Sequence, residues 1–470
     1  MKIISTVYNF LWGDLFTIPL GSGNELGISL LVLLLIPAGI FFTVITKFLP
    51  VRFFPEMLRI SIKKQSKGKS GAISGLQALI VSTATRVGMG NMVGVVAAIS
   101  AGGAGAVFWM WITALIGSST AFIEATLAQL HKQKDPLYGG YRGGPAYYIH
   151  NFFAKSKRKS IIAILFAISG LICWGGVSQV IGNSVSSAFE NAFSIPPIIS
   201  TIILVAISAF IVLRKNATVK VLDVVVPVMA VFYFAITVIV ILLNINLLPS
   251  VFVRIFKEAF GIRQMVAGGF GAALMNGVKR GLFSNEAGSG SAPCAAAASD
   301  VDHPAKSGLF QAFGVFIDTI VICSCTAFIM LLAPQDMLEG LSGMALLQTA
   351  MQHHFGYAGA VFIAITLWLF SFSTFVGILF YARSNVAYLF GDNWLSQTIY
   401  KVFALVMLFI GGLATYTFVW DLGDIGVGLM TIFNMIAIIP MSSQAVKSLE
   451  EYAKLRKMEK KTVSAVSKEK

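Results

Sequence analysis

Long apolar stretches separated by short polar segments dominate the pattern of this 470-residue chain. A helix needs about 20 apolar residues to cross the ~30 Å hydrocarbon layer of a membrane. The first stretch, LGISLLVLLLIPAGIFFTVI, carries no charged residue at all. The pattern predicts an all-α polytopic membrane protein with eleven transmembrane helices, at residues 26–49, 73–101, 104–130, 160–189, 195–213, 221–243, 262–283, 306–333, 356–382, 397–419 and 424–446.

Lys and Arg concentrate in alternate loops, which is typical of the cytoplasmic side of a membrane protein. The loops after the first, third and fifth predicted helices are basic, and residues 447–470 add further Lys and Arg. We therefore expect a multi-pass protein of the cell (inner) membrane with its N-terminus outside and its C-terminus in the cytoplasm. Residues 1–21, interrupted by Asp14 and Pro19, are expected to form a short interfacial helix rather than a signal peptide.

The composition argues against a soluble protein. Apolar residues make up 56% of the chain and charged residues 12%, whereas a soluble domain has about 25% charged residues. The net charge of +14 lies mainly in the loops, so the lipid bilayer is the expected partner and nucleic acid is not. The four Cys are expected to be buried apolar residues. The sequence contains neither an HExxH motif nor a GxxxxGK[ST] loop, so it indicates no enzyme, ATP-driven pump or cofactor.

Two predicted helices are rich in glycine near their middle. One contains Gly88, Gly90 and Asn91, and the other contains Gly268, Gly269 and Gly271. Glycines can let membrane helices approach each other closely, which is a purely structural role. Alternatively, they permit unwound segments whose free backbone groups bind a ligand. The polar residues beside both clusters favour unwinding, which we predict at 88–91 and 268–272.

These two helices open two similar halves of the chain. Each half has five predicted helices, and because five is odd the halves are inverted relative to each other. Interrupted helices at matching places in inverted halves indicate a transporter site. The resulting organisation is a first segment with one extra helix (1–72), the first repeat (73–243), an external connection (244–261), the second repeat (262–446) and a basic cytoplasmic tail (447–470).

Several motifs resemble the alanine/glycine:cation symporters. They are GMGN at 88–91, GGAGAVFWMW, GGYRGGPAYYI and, most specifically, RGLFSNEAGSGSAPCAAAAS followed by HPAKSGLFQAFGVFIDT. The resemblance extends from about residue 70 to residue 440. It implies a leucine-transporter-like fold of 5+5 inverted repeats preceded by one extra helix. It also implies secondary active import of a small neutral amino acid, alanine or glycine, with Na⁺ as the coupling ion.

A zwitterionic amino acid needs hydrogen-bond donors for its carboxylate and acceptors for its ammonium. Backbone N–H groups of an unwound segment at Gly88, Gly90 and Asn91 would serve the carboxylate. Carbonyl groups near Gly268–Gly271, or the side chains of Gln179 and Asn183, would serve the ammonium. The two side chains lie four residues apart and therefore on one helix face, although they can instead bond neighbouring helices. Phe270 and Trp368 are candidate walls of the pocket, with plain packing as the alternative.

Na⁺ prefers oxygen ligands, and hydroxyl groups concentrate in the ninth predicted helix at Ser371, Ser373 and Thr374. The resemblance implies a sodium site made by the hydroxyls of Ser373 and Thr374 and the backbone carbonyls of Ala84 and Val87. The carbonyl of Phe370 is a further candidate. These hydroxyls can alternatively bond carbonyls of their own helix.

Ionisable residues inside predicted membrane helices indicate functional sites. Asp318, Glu124 and Arg86 are candidates for a gate or an ion pair, although structural pairing is the favoured role of Glu124 and Glu286. Arg86 stands where the family usually has a neutral residue. A proton-coupled carrier of the same fold, with Asp318 or Glu124 taking the proton, remains an alternative, and a channel is a weaker one.

Overall fold

A computed structural model of the chain describes residues 2–21, 24–62, 73–74, 86–154, 158–214, 218–261 and 269–468. Most of these residues are helical. The helices are α1 (Lys2–Trp12), α2 (Leu30–Ile45), α3 (Leu49–Arg52), α4 (Phe54–Ile62), α5 (Val95–Gly102), α6 (Gly105–Leu130), α7 (Pro145–Phe153), α8 (Ile161–Phe193), α9 (Pro197–Val212), α10 (Thr218–Leu243), α11 (Leu248–Ala259), α12 (Gly269–Asn285), α13 (Ala292–Ala298), α14 (Pro304–Val315), α15 (Ser324–Leu331), α16 (Met344–Phe355), α17 (Tyr357–Phe390), α18 (Trp394–Leu413) and α19 (Tyr416–Lys468).

Two π-helical segments and one 3₁₀ turn complete the helical structure. One π-helix, Gly90–Gly94, leads into α5, and the other, Phe316–Cys323, joins α14 to α15; the 3₁₀ turn is Asp336–Leu338. Short strands form three pairs: β1 (Asp14–Gly21) with β2 (Asn24–Ser29), antiparallel; β3 (Ile73–Ser74) with β6 (Ser299–Asp300), parallel; and β4 (Gln133–Lys134) with β5 (Tyr141–Arg142), antiparallel.

Six helical segments of the described chain are long and apolar enough to cross a membrane. They are Gly105–Leu130, Ile161–Phe193, Pro304–Leu331, Tyr357–Phe390, Trp394–Leu413 and Tyr416–Glu459. A seventh span results if Val228–Leu243 and Leu248–Ala259, which meet at an angle of 104°, are counted together. The expected polytopic all-helical architecture is thus confirmed. The full count of eleven and the 5+5 repeat remain predictions.

Element boundaries differ from the sequence-based ones at both ends of the chain. The N-terminal segment forms a helix, α1, which stops at Trp12 and is followed by a hairpin of β1 and β2; its interfacial position stays a prediction. Near the C-terminus, α18 ends at Leu413 and α19 starts at Tyr416, so the boundary between these helices lies several residues before the gap between the predicted ranges 397–419 and 424–446. The last helix then runs to Lys468, through the segment predicted as a tail.

The packing of α8 organises the centre of the molecule. This helix packs against α17, α18 and α19. Small residues allow the close approach: a Cβ on Gly175 would lie 3.0 Å from the ring of Phe403, and one on Gly426 would lie 2.4 Å from the backbone of Cys173. The face of α8 around Cys173 and Trp174 is thereby held beside the helix breaks described next.

Candidate functional site

The first helix break lies where the glycines predicted it. Val87 and Gly88 are bent backbone, and regular helix resumes only through the π-helical segment that begins at Gly90. The N–H of Gly88 donates to the side-chain oxygen of Asn91 at 2.9 Å, and the N–H of Met89 donates to the hydroxyl of Thr374 at 3.1 Å. These bonds satisfy backbone N–H groups that the break leaves without a helical hydrogen-bond partner.

The second break was predicted in the wrong place. Residues 269–272 belong to the continuous helix α12, and Gly268 lies outside the described residues. Further along, Gly277 has a structural role, because a Cβ there would lie 2.5 Å from the Cβ of Trp109 on α6. The glycines of this stretch that the structure explains therefore serve close helix packing.

The actual second break separates α12 from α13 and covers residues 286–291. Glu286, Gly288 and Gly290 have φ values of 58°, 97° and 82°, a region that favours glycine and is rare for glutamate. The N–H of Gly288 donates to Oε2 of Glu124 at 3.1 Å, and the amide of Asn434 donates to the carbonyl of Gly288 at 3.0 Å. The amide of Asn434 also donates to Glu124. The expected structural role of Glu124 is thus to hold the second break open.

The two breaks meet at a small cavity of about 30 Å³. That volume corresponds to roughly one water molecule, so the site is nearly closed in this conformation. Both breaks and helices α8, α12, α17 and α19 contribute its lining. The lining residues are Met89, Gly90, Cys173, Trp174, Val177, Leu282, Phe283, Glu286, Ser289, Ser291, Thr374, Ile378 and Val427.

Glu286 gives this cavity its chemistry. Among the described residues that line the cavity, it is the one acidic or basic residue, and its Oε2 accepts a hydrogen bond from the hydroxyl of Tyr381 at 3.2 Å. A carboxylate in an apolar, nearly closed cavity favours a cationic ligand, because burial of an uncompensated charge is costly.

A buried polar cluster lies directly behind the first break. The amide of Asn91 donates to Oδ1 of Asp318 at 2.7 Å, and the hydroxyls of Ser284 and Thr319 donate to Oδ2 at 3.0 and 2.7 Å. Asp318 is fully buried. Asn91 therefore has two tasks, since its oxygen caps the break at Gly88 while its amide group binds Asp318.

Of the predicted substrate ligands, Gly90 lines the cavity, and Gly88 and Asn91 lie at the same break. The other predicted ligands lie elsewhere. Asn183 donates to the carbonyl of Ala414 at 2.7 Å, and Gly411 packs against the backbone of Gln179, so this face of α8 contacts α18.

The predicted aromatic walls also lie away from the cavity. Phe270 and Gly271 are at the start of α12, roughly 17 Å along the helix from Leu282 at 1.5 Å per residue. The ring of Phe270 packs 5.8 Å from that of Trp109. The ring of Trp368 stacks on that of Phe372 at 6.0 Å. The aromatic walls are instead Trp174 and Phe283, which sequence reasoning missed.

The structure brings together part of the predicted sodium site. Thr374 lines the cavity and accepts from the N–H of Met89, two residues after Val87, whereas Ala84 lies outside the described residues. The hydroxyls of Ser373 and Thr374 donate to the carbonyl of Phe370 at 2.8 and 2.9 Å. In this conformation the hydroxyls thus bond their own helix, which was the alternative weighed above.

Arg86 makes neither of the ion pairs expected of it within the described part of the chain. Its guanidinium is fully buried and donates to the side chain and the carbonyl of Gln311 at 2.9 and 3.2 Å. It still lies near enough to Glu124, Glu286 and Asp318 to attract each carboxylate. The charge of Arg86 thus acts on two fully buried carboxyl groups, those of Glu124 and Asp318, and on that of Glu286.

Comparison with known proteins gives a consistent result across the chain. The model of the sodium:alanine symporter family matches residues 19–466. The chain is 42% identical over 445 residues to the probable sodium/glutamine symporter GlnT of Bacillus subtilis, which covers 94% of this chain and 92% of that one. It is 32% identical over 466 residues to the sodium/alanine symporter AgcS of Methanococcus maripaludis, with 98% and 99% covered.

A solved structure with a similar fold is that of the manganese transporter of Eremococcus coleocola. The TM-score is 0.51 at 13% identity, and the match covers 82% of this chain and 81% of that one. At this identity the likeness concerns the fold alone.

Proposed function

The chain belongs to the sodium:alanine symporter family, and from this premise we propose that it imports a small neutral amino acid, alanine or glycine, together with Na⁺ by alternating access. Membership of the family supports cation-coupled amino-acid transport across a membrane. Our assignment of the substrate and of the coupling ion goes beyond family membership, and it rests on the chemistry of the central cavity.

The observation that carries the proposal is the meeting of two helix breaks at a cavity that contains the carboxylate of Glu286. A zwitterion fits such a site, because its ammonium compensates the carboxylate and its own carboxylate takes backbone donors of a broken helix. We assign the ammonium to Glu286 and the substrate carboxylate to the backbone around Gly90. The hydroxyls of Ser289 and Ser291, which also line the cavity, complete the polar wall.

The dimensions of the cavity favour a short side chain. Trp174, Phe283, Leu282 and Ile378 occupy its apolar wall, and only about 30 Å³ remains between them. The closed cavity must therefore enlarge less to admit alanine than to admit glutamine, whose amide side chain is longer. The size argument therefore supports alanine or glycine, although one relative is named as a probable glutamine symporter.

For the ion, we propose the position between Thr374 and the first break. Thr374 already bonds the N–H of Met89, and the carbonyl of Val87 belongs to the bent segment next to it. A sodium ion at this position would bind the hydroxyls of Ser373 and Thr374 in place of their bonds to Phe370. It would thereby tie α17 to the broken helix, which links ion binding to closure of the substrate site.

Uptake of labelled alanine into proteoliposomes tests both parts of the proposal. We expect saturable uptake that requires a Na⁺ gradient and that excess glycine or unlabelled alanine suppresses, with a much weaker effect of glutamine. Uptake of equal rate with choline in place of Na⁺ would contradict the ion, and stronger competition by glutamine would contradict the substrate.

Coupling to protons is the second candidate, and Asp318 is the observation that favours it. This fully buried carboxylate bonds Asn91 of the first break, Ser284 of α12 and its neighbour Thr319. A proton on Asp318 would change the hydrogen bonds that join these helices. Alanine uptake driven by an inward proton gradient in Na⁺-free buffer, and abolished in Asp318→Asn, would support this candidate over Na⁺.

A further inference from the structure

An open groove on the outer surface of the helix bundle is separate from the transport site. It has a volume of about 590 Å³ and lies between the first half of α8, the end of α17 and the start of α18. Its lining is almost entirely apolar, with Asn393 and Ser396 as the exceptions. The lining residues are Ile168, Leu171, Ile172, Leu389, Phe390, Asn393, Leu395, Ser396, Ile399, Tyr400 and Phe403.

One end of the groove is polar and positively charged. The ammonium of Lys159 donates to the carbonyl of Leu389, a lining residue, at 3.1 Å and lies 5.5 Å from the ring centre of Tyr388. Lys159 is exposed, and so is its neighbour Arg158. Since an ammonium has three donors, Lys159 can bond the carbonyl of Leu389 and an anion at the mouth of the groove together. The polar lining residues Asn393 and Ser396 lie close to Leu389 along the chain.

The length of the groove can be compared with one leaflet of a bilayer. Its lining residues run along α18 from Leu395 to Phe403 and along α8 from Ile168 to Ile172. At 1.5 Å per residue these distances are about 12 Å and 6 Å. Half of the ~30 Å hydrocarbon layer is about 15 Å. The longer wall of the groove therefore covers most of the length of an acyl chain within a single leaflet.

We propose that this groove is a binding site for an anionic phospholipid. An acyl chain lies along Ile168, Ile172 and Phe403, and the phosphate lies at Lys159. Charge complementarity selects the anionic headgroup, because one Lys near the membrane surface attracts anionic lipid by about 1 kcal/mol, or roughly fivefold in affinity. A zwitterionic phospholipid offers the same acyl chains but a net-neutral headgroup, so Lys159 discriminates between the two.

The groove also lies behind the wall of the transport site. Leu171 and Ile172 line the groove, and the next residues along α8, Cys173 and Trp174, line the central cavity. The hydroxyl of Tyr400 donates to the carbonyl of Leu171 at 2.9 Å and so joins the two helices that form the groove. A lipid in the groove thus packs against the same turn of α8 that closes the substrate site.

Native mass spectrometry of the purified full-length protein, titrated with phosphatidylglycerol or phosphatidylethanolamine, tests the site. We expect the protein to retain phosphatidylglycerol about fivefold more tightly. Lys159→Gln should abolish this preference, whereas Lys159→Arg should keep it. Lys454→Gln, which removes an exposed lysine of α19, is the matched control and should retain the wild-type preference.

Ile172→Trp, which fills the groove, should weaken retention of both lipids. The lipid that still binds to this variant should show the same preference for phosphatidylglycerol. A melting temperature within a few degrees of wild type shows that each variant is folded. Equal retention of the two lipids by the wild type, or an unchanged preference in Lys159→Gln, would overturn the proposal. Detection of a lipid-free dimer that becomes monomeric in Ile172→Trp would also overturn it, since the groove would then be an interface between two copies of the chain.

Discussion

At the scale of single residues, the charge of Glu286 dominates the proposed substrate site. It lines a nearly closed cavity, and the hydroxyl that donates to it, that of Tyr381, is neutral. A substrate ammonium would compensate this carboxylate at close range, in surroundings of low polarity. Removal of one partner from a buried charge pair typically costs about 2–5 kcal/mol.

We therefore predict that Glu286→Gln weakens alanine binding by at least about 30-fold. Equilibrium binding of labelled alanine to purified protein in Na⁺ measures the effect. Glu339→Gln, at an exposed position in the loop between α15 and α16, is the control and should bind alanine as the wild type does. An affinity of Glu286→Gln within threefold of wild type would remove Glu286 from the substrate site.

A second residue-scale prediction concerns the hydroxyl of Thr374. It accepts from the N–H of Met89 at 3.1 Å, and valine of nearly the same shape would leave that buried donor without a partner. Thr374→Val should raise the Na⁺ concentration for half-maximal uptake about tenfold or more, whereas Thr374→Ser should stay near wild type. Equal Na⁺ dependence of Val and Ser variants would show that the ion binds elsewhere.

The role of a single residue could be predicted from the sequence where it depends on neighbours along the chain. Gly88, Gly90 and Asn91 were found because a polar residue beside two glycines in an apolar helix is unusual. Glu286 was noticed, but its role depends on residues far along the chain that approach it only in the folded protein, such as Trp174 of α8. Gln179 and Asn183 share a helix face as expected, yet nothing in their spacing indicates that this face contacts α18.

At the scale of elements, the second break depends on glycines with positive φ. Gly290 has φ 82°, and a Cβ there would lie 2.6 Å from Cγ of Pro145 and 2.9 Å from the ring of Phe166, both of which are rigid. Gly340 is a matched control, since its φ is 75° but nothing lies within 4 Å of an added Cβ.

We predict that Gly290→Ala loses most of its alanine uptake and lowers the melting temperature by several degrees. Left-handed backbone costs an alanine about 1–2 kcal/mol, and the contact with two rings adds to that cost. Gly340→Ala incurs the backbone cost alone and should transport at close to the wild-type rate. Similar behaviour of the two variants would mean that backbone strain, rather than the shape of the break, limits function.

An ion cluster joins the amphipathic helix α4 to the end of α19. Glu56 lies 2.6 Å from Arg59 and 2.9 Å from Arg456, and it accepts from the hydroxyl of Tyr452 at 2.6 Å. Burial by itself would raise the pKa of Glu56, but the hydrogen bonds and charges of these partners outweigh it and lower the pKa to about 2, from an ordinary value of 4.5.

The lowered pKa of Glu56 sets the sign of a pH dependence. A carboxylate whose pKa falls on folding stabilises the protein fully above its unfolded pKa, and the stabilisation is lost as pH falls through the folded pKa. The melting temperature of wild type should exceed that of Glu56→Gln by a constant amount above about pH 4.5, and the difference should shrink towards pH 2. A difference that grows on acidification would contradict this assignment.

The misplaced second break shows what sequence can say about elements. A high density of glycine predicts either unwinding or close packing, and the partner helix decides between them. Gly277 and Gly281 of α12 face Trp109 and Thr113 of α6, where added Cβ atoms would lie 2.5 and 2.6 Å from side-chain atoms. The first break was predictable because its polar residue lies within it, whereas the second is held by Glu124 and Asn434 from distant helices.

At the scale of the whole molecule, coupling to one Na⁺ supplies enough energy for accumulation. One charge moving inward through 100 mV releases about 2.3 kcal/mol, and a tenfold Na⁺ gradient adds about 1.4 kcal/mol. The sum supports an accumulation of roughly several-hundred-fold for an amino acid with no net charge. Zero net flux of alanine in proteoliposomes should occur at a ratio of that size under those conditions.

A static-head ratio near one would contradict coupled transport, and a ratio above about a thousandfold would require more than one ion per substrate. Varying the membrane potential at constant Na⁺ gradient separates the two contributions. The ratio should rise about 50-fold for each additional 100 mV.

The central claim is that alanine and Na⁺ bind between the two helix breaks, and Cys173 reports on that space directly. It lines the cavity, whereas Cys294, also buried, does not. Alkylation of the purified wild-type protein, mapped by peptide mass spectrometry, gives the rate at each thiol. We predict that alanine with Na⁺ slows alkylation of Cys173 at least about tenfold and leaves Cys294 unchanged. An unchanged rate at Cys173, in protein that still takes up alanine, would place the substrate elsewhere.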